Sequence, residues 1–183
     1  MFCMAAQSLG YRVCVLDPGS DSPAGAVADD HIARDYLDRT GLAELAARCR
    51  AATTEFENVP AAALSFLAEH CNVSPEASSV AIAQDRIAEK RFVASCGLDV
   101  APHAVIGRGQ DFDALDPALL PGILKSARLG YDGKGQERVA TVDAARAAWE
   151  RMGGVACVLE QRLALQLEVS VVVCRGRDGA TAT

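Results

Sequence analysis

The 183-residue chain has no run approaching the roughly 18 unbroken apolar residues of a membrane-spanning helix, although half of its residues are hydrophobic. It also lacks an excess of basic residues: 18 Lys and Arg against 24 Asp and Glu give a net charge of −6. That balance disfavours a nucleic-acid partner, because gripping a phosphate backbone needs clustered Lys and Arg. The opening MFCMAAQSLG has neither the basic start nor the apolar run of a signal peptide. The seven cysteines (Cys3, Cys14, Cys49, Cys71, Cys96, Cys157 and Cys174) are odd in number, form no C-x-x-C pair and have no histidine nearby at ligand spacing. Most sit in apolar runs and read as small core residues, so a reducing, cytoplasmic compartment is expected, with no membrane partner. No G-x-S-x-G or H-E-x-x-H motif is present, and His31, His70 and His103 lie far apart, so a hydrolase reading has no motif to rest on.

What is there alternates. Met4 to Leu9 reads as the end of a helix closed by Gly10. YRVCVL is a short buried strand, DSPAGAVADD a loop, and His31 to Asp35 a second short strand. Gly41 to Arg50 carries Leu42, Leu45, Ala46 and Cys49 on one helical face. Thr53 to Phe56 reads as a strand, and Asn58 and Pro60 suit the start of a helix that turns Leu64 and Leu67 inward. Strand–helix alternation of this kind predicts a parallel sheet covered by helices. From Ser79 a helix is expected to run to Ser95 and stop at Gly97, followed by the linker DVAPHAVIGRGQ. Beyond it come a helix near Phe112 to Leu120, the strand GILKSA, a glycine-rich loop, the strand ERVA and the helix Val142 to Met152. Two further strands follow, VACVLEQ and LEVSVVVC; in the second, Leu167, Val169, Val171 and Val173 alternate with Glu168 and Ser170. A turn at Gly176 to Gly179 then leads into a final strand at ATAT. The chain opens inside a helix and closes at the start of a strand, so a fragment of a longer protein is expected.

Four constellations could carry chemistry. Gly130, Gly133 and Gly135 are spaced G-x-x-G-x-G, with Arg128 and Lys134 in the same segment and Lys125 on the strand before it. Glycines let backbone N–H groups wrap an anion, and a strand-end lysine supplies a point charge for phosphate. The spacing is neither a Walker A loop nor a Rossmann fingerprint, and a plain glycine-rich turn is an equal reading. In DRIAEK, Arg86 and Lys90 share a helical face and either point at an anionic ligand or belong to a solvated charged face. Glu160 and Glu168, on successive strands, could face one cleft as acceptors for a ribose or base, or sit exposed at strand ends. Glu55 and Glu57 lie at the carboxyl end of a strand, where open α/β sheets bind ligands, while Asn58 is equally a helix cap.

Taken in order, TTEFENVP, QDRIAEKRF, ILKSARLGYDGKGQ and LEQRLALQLEVSVVV resemble the N5-carboxyaminoimidazole ribonucleotide synthases, ATP-grasp enzymes of purine biosynthesis, across nearly the whole chain. The segment SLGYRVCVLDPGSDSPAGAVAD resembles their N-terminal domain. The resemblance implies an α/β fold: a Rossmann-like (pre-ATP-grasp) N-terminal domain over 1–77 without its first strand, a helix and linker over 78–104, and the N-terminal part of an incomplete ATP-grasp α+β domain over 105–183. It implies conversion of ATP, bicarbonate and 5-aminoimidazole ribonucleotide to ADP, phosphate and the N5-carboxylated product, through carboxyphosphate.

By the same resemblance, Arg86 and Lys125 contact ATP, and Gly130, Tyr131, Asp132, Gly133, Lys134, Gly135 and Gln136 fold over the triphosphate. Tyr131 and Asp132 would lie near the aminoimidazole, and Asp132 and Lys134 are the catalytic candidates. Glu160, Gln161, Arg162 and Leu163 would form the adenine hinge, and Glu168 would bind the ribose. The family's G-G-G-Q-L-G loop would precede Met1 and its Mg²⁺ ligands would follow Thr183, so no metal ligand is expected within the chain and little carboxylase activity from it alone. A homodimer is implied for the full-length protein. Another ATP-grasp carboxylate–amine ligase, a non-catalytic nucleotide-binding module and a dinucleotide-binding oxidoreductase domain are the competing readings.

Overall fold

Apolar residues at the spacing of one helical face build the first half of the computed structural model, which describes residues 1–130, 135–176 and 178–183. Helix α1 (Phe2–Ser8) is followed by Gly10 at φ +85°, the left-handed residue that ends it. Strands β1 (Cys14–Leu16) and β2 (Asp30–Ile32) pair in parallel. Helix α2 (Arg39–Arg48) starts at Asp38, whose carboxylate accepts from the Gly41 N–H. Strand β3 (Ala51–Ala52), helix α3 (Ala61–Ala68) and strand β4 (Asn72–Val73) follow, β3 and β4 again parallel. Ile32, Leu42, Leu45, Ala63 and Leu67 close a core between these elements. The parallel α/β pattern is therefore present, as two strand pairs rather than one continuous sheet.

Three expectations for this half need correction. The strand is Ala51–Ala52, and Thr53 to Asn58 form an irregular loop. Asn58 does not cap α3: Pro60 occupies the N-cap position, and no side chain supplies a capping hydrogen bond. The helix from Ser79 to Ser95 is two helices, α4 (Ala77–Ala83) and α5 (Arg86–Ser95). Asp85 breaks them, because its extended backbone (φ −132°) lets its carboxylate accept from the Ile87 and Ala88 N–H groups at 3.0 and 3.3 Å. Local capping by a short acidic side chain wins over helix continuation there.

The second half is organised by one antiparallel sheet. Strands β5 (His103–Ile106), β6 (Gly122–Ser126), β7 (Gln136–Val139) and β8 (Cys157–Gln161) lie in the order β5-β8-β6-β7. Helix α6 (Val142–Arg151), capped by Thr141, covers one face: Ala145 and Ala148 pack with Leu124, Leu159, Ile106 and Phe112, all buried. Phe112 to Leu120 is not an α-helix but two short 3₁₀ turns, Gly109–Ala114 and Pro117–Leu119, the second started by Asp116 capping Ala118. Strands β9 (Cys174–Arg175) and β10 (Thr181–Ala182) form a separate antiparallel pair. The strand expected at Leu167 to Val173 is absent; those residues are exposed and lie in no sheet. Their alternation suits a strand, but a strand requires a hydrogen-bonded neighbour. Cys96 and Cys174 are exposed, so the core reading of the cysteines fails for these two. No described helix is long and apolar enough to cross a membrane.

Candidate functional site

Period-two alternation separates the chemistry from the core. In the β6–β8 ladder Leu124 faces Leu159 on the α6 side, while Ile123 faces Glu160 and Lys125 faces Val158 on the other side. Lys125 and Glu160 are therefore diagonal neighbours on one face, and the Lys125 Nζ donates to the Glu160 Oε2 at 2.7 Å. Helix α5 packs on this face. From it, the Lys90 Nζ reaches the Glu160 Oε1 at 3.0 Å. The side chains of Lys90, Glu160 and Lys125 are 12, 13 and 20 % exposed. Burial pushes the Glu160 carboxyl up, but hydrogen bonds and charge from Lys125 and then Lys90 outweigh it and hold the group below the usual carboxylate range.

Gly130 and Gly135 of the glycine-rich segment are both anchored. Ser126 N–H donates to the Gly135 carbonyl at 2.8 Å. Gly135 stands at φ +70°, and a Cβ there would lie 2.5 Å from the Ser126 Oγ, so only glycine fits. On the other side, the Arg86 guanidinium donates to the carbonyls of Ser126 (3.2 Å) and Gly130 (3.3 Å), and its backbone N–H donates to the Ala127 carbonyl. Leu129 adopts φ +59°, an uncommon backbone for a residue with a side chain, immediately before Gly130. Asp85, besides capping α5, pairs with Arg128 at 3.0 Å.

A cavity of about 360 Å³ opens beside Gly130, within the size range of small-molecule sites. The 54–58 loop with Glu55 and Glu57 forms one wall, and Arg86, Arg128 and Leu129 form the other. A larger, more open depression of about 580 Å³ near Arg48–Arg50 and Glu69–Asn72 shares no residue with it and gathers none of the phosphate-binding candidates.

Of the residues singled out from the sequence, the structure brings together Arg86, Lys125, Gly130, Gly135 and Glu160 around the β6–β8 end of the sheet. Gln136 opens β7 opposite Lys125. Gln161 closes β8, its side-chain amide donating to the Ala118 carbonyl, and Arg162 and Leu163 lead away exposed, with the Arg162 N–H on the Pro121 carbonyl. Tyr131, Asp132, Gly133 and Lys134 lie outside the described residues. Glu168 is not placed on a strand beside Glu160; it sits exposed beyond the sheet, in a stretch that pairs with no strand among the described residues. Glu55 and Glu57 reach the cavity from a loop rather than from a strand end. Lys90, paired with Arg86 as a candidate anion contact, meets the Glu160 carboxylate instead, and His103 was not among the residues the motifs selected. His103 stands opposite Glu160 in the β5–β8 register, and only the tertiary fold brings it there. For Lys90 the signal was its helical face shared with Arg86.

Comparison with known proteins shows the family. A ribonucleotide synthetase preATP-grasp domain model matches residues 1–84, and an ATP-grasp domain model matches 91–183. The N5-carboxyaminoimidazole ribonucleotide synthase of Brucella melitensis is 40% identical over all of this chain and 51% of its own length. That of Bacillus subtilis is 36% identical, over all of this chain and 48% of its own length. The structure of N5-carboxyaminoimidazole synthetase from Staphylococcus aureus complexed with ADP superposes with a TM-score of 0.92 at 34% identity, covering 99% of this chain and 49% of that one. The chain spans about half the length of the curated relatives it matches.

Proposed function

This chain belongs to the ATP-grasp family, and on that premise we propose that it forms the nucleotide-binding half of an N5-carboxyaminoimidazole ribonucleotide synthase. The reaction is ATP-dependent carboxylation of 5-aminoimidazole ribonucleotide with bicarbonate. The observation that carries this reading is the convergence of Lys125, Arg86 and both ends of the glycine-rich segment at one end of the sheet.

Each piece has a chemical task. Lys125 offers a compact ammonium to phosphate oxygens. Arg86 holds the entry of the segment at Gly130, and the Ser126–Gly135 hydrogen bond holds its exit. Residues 131–134 would then close over the triphosphate between two fixed ends, with Asp132 and Lys134 nearest the chemistry. Excluding water matters because carboxyphosphate, formed when bicarbonate takes the terminal phosphoryl group, is readily hydrolysed. Gln161, Arg162 and Leu163, leaving β8 beside Glu160, would form the adenine hinge, and Glu168 would bind the ribose once its stretch is held against the nucleotide. The aminoimidazole would occupy the 360 Å³ cavity, where Glu55 and Glu57 suit its N–H donors and Tyr131 and Asp132 follow directly from Gly130. The curated relatives are about twice as long as this chain. Among the described residues no group of three or more His, Cys, Asp or Glu is placed to hold a metal ion, and Glu160 is occupied by two lysines. Mg²⁺ would be held by residues outside those described.

Calorimetric titration with ATP, ADP and NAD tests the reading. Binding of ATP and ADP that weakens about tenfold in Lys125→Ala is expected, from loss of one charge-assisted phosphate contact. Binding of NAD with none of ATP would overturn it. For the full-length enzyme, ADP release should require both bicarbonate and 5-aminoimidazole ribonucleotide.

A further inference from the structure

We propose that Lys90 is a positioning residue for nucleotide binding: by taking a share of the Glu160 charge, it leaves Lys125 free to turn to phosphate. This rests on the reading above that phosphate binds at Lys125. In the structure, Glu160 is held from both sides, each carboxylate oxygen with its own lysine, Oε1 with Lys90 at 3.0 Å and Oε2 with Lys125 at 2.7 Å. Two lysines and one glutamate leave the cluster with one formal positive charge.

A fold that needed only to neutralise Glu160 already has Lys125 on the adjacent strand. A second ammonium, 12 % exposed, adds desolvation cost without being required for that neutrality. Its consequence is electrostatic. Without Lys90, the Glu160 charge would fall wholly on Lys125, and phosphate approaching that ammonium would meet a carboxylate with no other counter-charge. With Lys90, Glu160 keeps a partner when Lys125 leaves it. Lys125 is the most exposed of the three, and so the one with room to turn. The surrounding groups do not substitute. Arg86, one turn earlier on α5, is engaged by the Ser126 and Gly130 carbonyls. His103, opposite Glu160 on β5, points its Nδ1 at the Ala101 carbonyl.

The test is a cycle of Lys90→Met, Glu160→Gln and the double variant, each titrated calorimetrically with ATP and with adenosine. Lys90→Met should weaken ATP about tenfold and leave adenosine binding within about twofold, because only the phosphates meet the changed charge. In the Glu160→Gln background, where Lys125 has no anionic competitor, the same substitution should cost ATP less than about threefold. Lys90→Arg should recover most of the ATP affinity. Equal loss of ATP and adenosine, or the same loss in both backgrounds, would overturn the proposal and leave Lys90 a structural residue. If Lys90→Met fails to fold, Lys90→Gln carries the same comparison. ATP binding unchanged in folded Lys90→Met or Lys90→Gln overturns this inference alone, whereas a parent chain that binds no ATP overturns the functional reading and this inference with it.

Discussion

Strand β8 and the stretch from Leu167 to Val173 are both apolar runs carrying one glutamate, and they end in opposite states. Cys157, Val158 and Leu159 are completely buried, between α6 on one face and α5 on the other, with β5 and β6 as hydrogen-bonded neighbours. Leu167, Val169, Val171, Val172 and Val173 are between 57% and 78% exposed and lie in no sheet. β-Branched alternation describes a segment that fits a pleated surface; it does not supply the surface. The site follows the same division, with Lys125 and Glu160 fixed by the paired strands and Glu168 left on the unpaired stretch.

The comparison is sharpest in the core. Leu159→Ala should cost about 3 kcal/mol in urea unfolding, since it empties a fully buried position between Leu124 and Ala104. A loss below about 1 kcal/mol would mean that β8 is no better supported than the stretch after it. Next in size is Gly122→Ala. A Cβ there would stand 2.7 Å from the Leu119 carbonyl oxygen and 2.8 Å from that of Glu160. Both contacts are backbone, so β6 must move from β8, at a cost of about 2 kcal/mol. Because Lys125 lies on the displaced strand, its ammonium moves away from the glycine-rich segment's anchor at Ser126 and Gly135, and ATP affinity should fall in the same variant.

Glu160→Gln probes the ion cluster on the outer face of the same strands. At neutral pH it should cost about 2 kcal/mol, because two nearly buried lysines lose their counter-charge. Its pH dependence is more specific. The folded pKa of Glu160 lies below its unfolded value, so its stabilisation is fully present above the ordinary carboxylate value of about 4.3 and is lost as pH falls through the folded value. Unfolding free energies of parent and variant should therefore converge in that acid window. A gap that persists at pH 2 would assign the loss to packing.

Legibility from sequence divides along the same line. The glycine-rich segment, Lys125, Glu160 and the helix carrying Arg86 were readable because each rests on local pattern: strand period, glycine spacing, helical face. The break between α4 and α5 is not legible in the helical pattern, because it depends on the Asp85 side chain satisfying two α5 N–H groups. The strand at Thr53 to Phe56 was misplaced by two residues, which moved Glu55 and Glu57 from a sheet edge to the loop lining the cavity. Two-residue strands such as β3 and β4 are too short to show a period at all. Lys90 meeting Glu160 spans seventy positions, and no local pattern reports such a contact.

The smallest expected effect tests the unpaired side of the comparison. Val169→Thr with Val171→Thr removes two exposed methyl surfaces and keeps β-branching. Unfolding free energy should change by less than about 0.5 kcal/mol, because neither side chain leaves a packed site. Self-association should fall, however, since an exposed apolar run of strand-forming residues invites pairing with another chain. Sedimentation velocity on parent and double variant at matched concentration reads this directly. A stability loss like that of Leu159→Ala would show that the stretch packs in solution as β8 does, and the contrast between the two segments would then disappear.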